Sequence, residues 1–273
     1  MGRFKDIMIF LVSMLFPNRC IFCNEPIDPF DDYCDNCAVK VPFIKGEICT
    51  RCGAAVADCV CNKRKSVYYE KVAAPLYYDG DVKSCIHRFK FKDDRMTAKP
   101  LAKLMANTLQ KHFGNIHFDY VTYIPMYKSK ERKRGFNQSR LLATEISKLC
   151  NIPLADGLLI KLYDTDCQHD CTGLERTGNL IGVFDVDKSF DIVDKTILLI
   201  DDVKTSGATL NECGKMLYLN DVKSVICLTA AIRNSKIEET NDSNDSCHWY
   251  DGFCGIEPIY LSKGLFEKKN TVA

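Results

Sequence analysis

The chain has 273 residues, which at roughly 150 residues per domain holds one sizeable core and a smaller module. With 37 Lys and Arg against 36 Asp and Glu the net charge is +1, so any contact with nucleic acid or an anionic membrane has to come from a local patch. A hydrophobic fraction of 46% with 27% charged residues excludes a largely disordered, collagenous or membrane-embedded chain, and sixteen cysteines stand out.

Near the N-terminus, residues 7–16 are apolar behind Arg3 and Lys5. The run is too short for the roughly 20 residues that span a bilayer, and no small-residue cleavage site follows it. It reads as an amphipathic or buried helix, with docking on a membrane surface as the alternative, and the protein reads as cytoplasmic without stable membrane insertion.

Residues 17–65 lack helical periodicity and are punctuated by Pro26, Pro29, Pro42, Gly46 and Gly53, as in a small module held by something other than a core. Eight of the sixteen cysteines fall here in pairs: Cys20/Cys23, Cys34/Cys37, Cys49/Cys52 and Cys59/Cys61. Serial pairs point to metal, with disulfides as the alternative in an oxidising compartment. Each Cys-x-x-Cys places two thiolates on one knuckle, and two knuckles complete the tetrahedral four-thiolate shell of a structural zinc. The simplest arrangement is two ions, one on Cys20, Cys23, Cys34 and Cys37 and one on Cys49, Cys52, Cys59 and Cys61. Cys59-Val60-Cys61 is one residue tighter than usual, and interleaved pairing stays open. Closed shells of this kind serve structure and recognition rather than catalysis.

From residue 67 the texture changes. Residues 67–78 are β-rich, and an amphipathic stretch over 82–112 is interrupted at Lys92-Asp93-Asp94. Residues 118–124, β-branched and aromatic, read as a strand stopped by Pro125. Residues 138–150 carry Leu141, Leu142, Ile146 and Leu149 at helical spacing, and the polar segment 163–179 reads as a long mobile loop. A strand at 196–200, a helix at 209–220 and a buried strand at 222–231 follow. This alternation predicts an α/β domain with a parallel sheet over about 67–234, preceded by a Cys-rich module over 1–66 and followed by a polar linker and tail over 235–273.

The most informative residues are Ile197-Leu198-Leu199-Ile200-Asp201-Asp202-Val203-Lys204-Thr205-Ser206-Gly207-Ala208-Thr209. A buried strand ends in two carboxylates, and a turn of small and hydroxyl residues opens a helix. At the carboxyl edge of an open α/β sheet, such a turn directs backbone N–H groups and a helix N-terminus at a phosphate, and the paired acids suit a ribose diol. The Gly-x-x-x-x-Gly-Lys-Ser/Thr and Gly-x-Gly-x-x-Gly motifs of other nucleotide sites are absent. A strand end that merely caps a helix is the plainer alternative.

This segment resembles the phosphoribosyl pyrophosphate (PRPP) motif of type I phosphoribosyltransferases, with Ser206 where Thr is usual. Three further pieces are the basic run Lys128, Lys130, Arg132, Lys133, Arg134 leading into Gly135-Phe136-Asn137-Gln138, then Gln168 and Arg176 in the polar segment, and Ile86-His87-Arg88-Phe89-Lys90. With Phe16-Pro17-Asn18-Arg19-Cys20 at the start, their order is similar to the ComF family of bacterial competence-associated proteins, in which a double zinc ribbon precedes a type I phosphoribosyltransferase domain with a Rossmann-like parallel sheet.

The resemblance implies roles. Asp201 and Asp202 would hold the ribose hydroxyls, and Lys204, Thr205, Ser206, Gly207, Ala208 and Thr209 the 5′-phosphate. A basic loop bearing Lys130, Arg132 and Arg134 would meet the pyrophosphate, with Arg134 counted beside the acid pair as catalytic; a solvated basic face or a nucleic-acid contact is its alternative. Gln168 and Arg176 would lie on a loop closing over the ligand. Zinc would be structural, and Mg would accompany PRPP. The implied activities are phosphoribosyl transfer to a nitrogen acceptor, or a non-catalytic PRPP-responsive module. The implied partners are single-stranded DNA, a competence helicase and DNA-processing proteins.

Overall fold

The structure, a computed structural model, describes residues 17–61, 66–92, 94–163 and 182–233. The expected N-terminal helix, the expected loop over 163–179 apart from Tyr163, and the expected tail lie outside the described residues.

The architecture is a parallel α/β sheet. Strands β1 (Lys71–Ala73), β3 (Tyr120–Tyr123), β6 (Thr196–Lys204) and β7 (Ser224–Ile232) run in the order β1-β7-β6-β3, and β2 (Leu76–Tyr77) also pairs with β7. The 67–78 segment therefore makes one edge in two pieces. Pro75 has no N–H for the ladder, and the register resumes beyond it at Leu76 opposite Ala231.

Central β6 is covered on both faces, so its residues alternate between two apolar clusters. Leu198 and Ile200 face one, and Ile197 and Leu199 the other. The first cluster receives α2 (Gly80–Phe91), α3 (Ala98–Phe113) and α5 (Gln138–Cys150). Their buried residues recur three or four apart, as in Val82, Cys85, Ile86 and Phe89 of α2. The second receives α6 (Ala208–Tyr218) through Leu210, Cys213 and Leu217, together with an antiparallel ribbon of β4 (Leu159–Lys161) and β5 (Phe184–Val186). That ribbon is not legible from the sequence, because its strands of three residues are too short to show an alternation.

Two other expectations are corrected. The basic run is a helix, α4 (Lys128–Arg134), rather than a loop. Gly135 ends it in the left-handed region at φ 88°, donating its N–H to the Glu131 carbonyl at 2.7 Å. Strand β6 also does not stop at Ile200; pairing with β7 carries it through Lys204, opposite Ile232.

The Cys-rich module, with one short helix α1 (Asp35–Lys40), lies along the β1–β2 edge. Ile44 donates to the Pro75 carbonyl, Tyr77 to Pro42 and Val72 to Thr50, at 2.9, 2.9 and 2.6 Å. Its aromatic trio of Phe22, Tyr33 and Phe43 is continuous with the main core: Phe22, fully buried, and Val41 belong to the same cluster as α2 and α3. Arg88 of α2 donates Nη2 to the carbonyls of Ile21 and Phe22 at 2.6 and 3.0 Å.

Helix α6 is seated against the strand leading into β1. Asn211 Oδ1 accepts the Tyr68 N–H at 2.7 Å, and a Cβ at Gly214 would overlap the Tyr68 carbonyl oxygen. Gly214→Ala is expected to lower stability by about 3 kcal/mol in thermal or denaturant unfolding, because helix and backbone cannot both keep their places.

Candidate functional site

Asp201 and Asp202 stand near the end of β6, and Thr205 and Ser206 follow in an exposed turn that reaches α6 at Ala208. Gly207 is buried with φ 81°, a conformation that favours glycine, and a Cβ there would stand 3.1 Å from Lys204 Cε. The Ser206 hydroxyl oxygen accepts the Ala208 N–H at 3.3 Å.

The two carboxylates are held differently. Asp202 is buried and pairs with Lys90 of α2, Nζ to Oδ2 at 2.9 Å. Burial opposes the Lys90 charge, but the Asp202 carboxylate outweighs it and raises the lysine pKa. Asp201 Oδ1 accepts the Ser139 hydroxyl at 2.9 Å and the Asp202 N–H at 2.8 Å. Burial, reinforced by the Asp202 charge, nevertheless pushes Asp201 up to about 7, against the pull of Lys90 and these donors. Lys90 and Ser139 belong to no phosphate-binding pattern. Lys90 falls in the segment that carries the family resemblance, and Ser139 directly follows Gln138.

The Arg134-Gly135-Phe136-Asn137-Gln138 segment is largely architectural. Phe136 is buried 5.9 Å from the Phe89 ring, and Asn137 caps α5 by accepting the Ser139 N–H at 2.9 Å while donating to the Ile124 carbonyl at 3.0 Å. Gln138 donates to the carbonyls of Phe89 and Lys90 at 3.4 and 3.5 Å and accepts from Arg134 Nη1 at 2.9 Å. The Arg134 guanidinium lies 4.9 Å over the Phe91 ring. Arg134 is thereby tied to the carbonyl of the lysine that meets Asp202. Lys130 is half-buried on α4, and Arg132 is exposed, its Nε donating to the Lys128 carbonyl at 3.4 Å. Gln168 and Arg176 lie outside the described residues.

The eight N-terminal cysteines gather as two sets, Cys20, Cys23, Cys34, Cys37 and Cys49, Cys52, Cys59, Cys61, with all ligand atoms of a set within 4.8 Å of one another. All are free thiols, and sulfur separations such as 3.8 Å for Cys23–Cys34 and 3.6 Å for Cys52–Cys59 exceed a disulfide bond. They match the edges of about 3.8 Å that Zn–S bonds of about 2.3 Å make in a tetrahedron. Backbone groups outweigh burial at Cys20 and Cys49 and bring both thiols down to about 7, while burial and the neighbouring thiols raise Cys37 and Cys52. Donor chemistry and spacing therefore fit zinc in each set.

Comparison with known proteins agrees with this arrangement. Residues 11–66 match the double zinc ribbon domain, and residues 132–255 match the phosphoribosyl transferase domain. The chain is thus a double zinc ribbon joined to a phosphoribosyltransferase-type α/β domain. It is 26% identical over 211 residues to competence protein F of Haemophilus influenzae, covering 76% of this chain and 86% of that protein. Competence protein ComFC of Bacillus subtilis is 29% identical over 202 residues, covering 70% and 80%. DNA utilization protein YhgH of Salmonella typhimurium is 24% identical over 217 residues, covering 77% and 94%. The two domain matches, in this order, and these relatives support the ComF family.

Two outcomes follow. Metal analysis of the purified protein is expected to return two zinc ions per chain, and Cys37→Ser to retain one. The raised Asp201 pKa means that the folded state keeps a proton the unfolded chain has released, so this residue's stabilisation is complete below about pH 4 and lost as pH rises to about 7. Asp201→Asn is expected to flatten the stability profile across that window and to match or exceed wild type at pH 8, as denaturant titrations would show.

Proposed function

We propose that this protein binds PRPP at the end of β6 and acts in the handling of incoming DNA. The observation that carries the reading is one continuous feature: a buried strand delivering two carboxylates, followed within a few residues by a glycine-centred turn at a helix N-terminus. Asp201 and Asp202 accept hydrogen bonds from the ribose hydroxyls. The N–H groups and hydroxyls of Thr205, Ser206, Gly207, Ala208 and Thr209, with Lys204, take the 5′-phosphate. Lys130, Arg132 and Arg134 face the pyrophosphate, where cations would stabilise the charge that develops on departure. The family resemblance adds Gln168 and Arg176 as further ligand contacts. Mg accompanying PRPP would neutralise pyrophosphate charge, with little direct ligation by the protein.

In the catalytic form of this reading, a nitrogen nucleophile attacks the ribose anomeric carbon. The new C–N bond replaces the C–O bond to pyrophosphate, which leaves. A second reading, a PRPP-responsive module without turnover that binds single-stranded DNA or protein partners, draws on the Lys90–Asp202 ion pair. A ligand that takes the acid pair and competes with Lys90 for Asp202 would redistribute that contact, and the change can pass along α2. The names of the competence and DNA utilization relatives support the DNA-handling role in both readings.

Calorimetric titration of the zinc-loaded protein with PRPP and Mg is expected to show binding that weakens about 100-fold or more in Asp201→Ala/Asp202→Ala. Binding by neither protein would sink the reading. Pyrophosphate release abolished by Asp202→Asn would establish turnover. DNA affinity that falls steeply with salt, and with neutralisation of Lys130, Arg132 and Lys133, would favour the module.

A further inference from the structure

The second cysteine knuckle reaches the phosphate loop. Between Cys49 and Cys52 it carries Arg51, whose backbone carbonyl accepts the Tyr69 hydroxyl at 3.3 Å. The same hydroxyl lies 3.5 Å from where a Cβ on Gly207 would stand. Burial raises the Tyr69 pKa, so the group stays a neutral donor, and the Arg51 charge is near enough to oppose that shift. The knuckle is pinned on both sides of Arg51. Thr50 accepts the Val72 N–H at 2.6 Å, and a Cβ at Gly53 would meet Ile232 at 3.5 Å.

Arg51 Nη2 is shielded from solvent and has no hydrogen-bond partner among the described residues. A buried guanidinium nitrogen without an acceptor is costly, and an anion relieves that cost. Lys204, whose Cε lies 3.1 Å from where a Cβ on Gly207 would stand, likewise has no ion-pair partner among the described residues. Two cations, one from each half of the protein, therefore lie in the neighbourhood of the turn.

We propose that the second zinc knuckle supplies Arg51 to the 5′-phosphate subsite, so that the phosphate monoester is gripped jointly by the zinc ribbon and the α/β sheet. The proposal rests on the PRPP reading of the loop and adds to it a residue outside the Thr205–Thr209 turn and outside the phosphoribosyltransferase-type domain. It makes the ribbon part of the ligand site: metal that orders the knuckle orders Arg51.

The test compares ribose 5-phosphate, which has the monoester alone, with Mg-pyrophosphate, which lacks it, by calorimetry on protein verified to hold two zinc ions. Arg51→Gln is expected to weaken ribose 5-phosphate and PRPP about 10- to 100-fold and to leave pyrophosphate within about twofold, while Arg51→Lys recovers part of the loss. Unchanged affinity, or equal weakening of both probes, would overturn the assignment. So would an Arg51→Gln protein that binds ribose 5-phosphate normally but gives up zinc faster to a chelator, since Arg51 would then serve the cysteine sulfurs. If Arg51→Gln cannot be prepared with both zinc ions, Arg51→Lys decides: no preferential weakening of ribose 5-phosphate would reject the idea. Failure of the wild type to bind ribose 5-phosphate or PRPP would instead remove the site reading beneath it.

Discussion

Strand β6 is hydrogen-bonded on both edges and covered on both faces, so Ile197 through Ile200 must be apolar, and charge can enter only where the covering layers run out. Two adjacent carboxylates at that point create the electrostatic problem that the neighbouring elements answer. Asp202 is neutralised by Lys90 from α2. Asp201 is met by Ser139 from α5 and by the Asp202 N–H, and its affinity for a proton rises to near neutrality. The two helices are themselves tied together by Gln138, which donates to the carbonyls of Phe89 and Lys90. The acid pair thus constrains how α2, α5 and β6 may pack, and the Asn137 cap and Phe136 anchor serve that same junction.

The zinc ribbon is subject to a different constraint. A module of this size buries too little apolar surface to stand on its own without metal or a neighbour, and this one uses both. Its two thiol clusters fit metal, while Phe22 and Val41 join the main core and Arg88 ties α2 to the first knuckle. Burial of a side chain the size of Phe22 contributes about 1.5–3 kcal/mol, and here it is shared between the ribbon's own Tyr33 and Phe43 and the main core.

What the sequence reveals follows from how each feature is encoded. The helix at 138–150 shows its apolar face at helical spacing and has a side-chain cap, and its observed bounds agree with that pattern. The α/β class is equally readable, since a run such as Ile197 to Ile200 flanked by amphipathic helices has few other solutions. The grouping of cysteines into two sets is open in the sequence, because spacing alone does not say which knuckles meet; the backbone bridges Arg19–Pro26 and Ile48–Ala55 close them locally. The basic run reads as a loop because seven charged and hydroxyl residues have no apolar face to betray a helix. Lys90 lies in a segment that resembles the family but with no role attached to it, and Ser139 and Arg51 carry no pattern at all. Their significance lies in what the fold places opposite them, and only three-dimensional contact discloses it.

A module that precedes β1 in a parallel sheet would most simply sit at the strands' amino ends, away from the ligand edge. Here it runs back along β1 and β2. Phe43 bridges Leu76 in the antiparallel sense, Thr50 meets Val72, and Gly53 packs on Ile232, the last residue of β7. The break at Pro75 is part of what permits this. It frees the Pro75 carbonyl for Ile44 and lets the edge strand resume as β2 opposite the final residues of β7. The ribbon thus runs antiparallel to the edge strand, from Pro42 opposite Tyr77 to Thr50 opposite Val72, and the second knuckle meets the carboxyl end of the sheet through Gly53, which lies against Ile232.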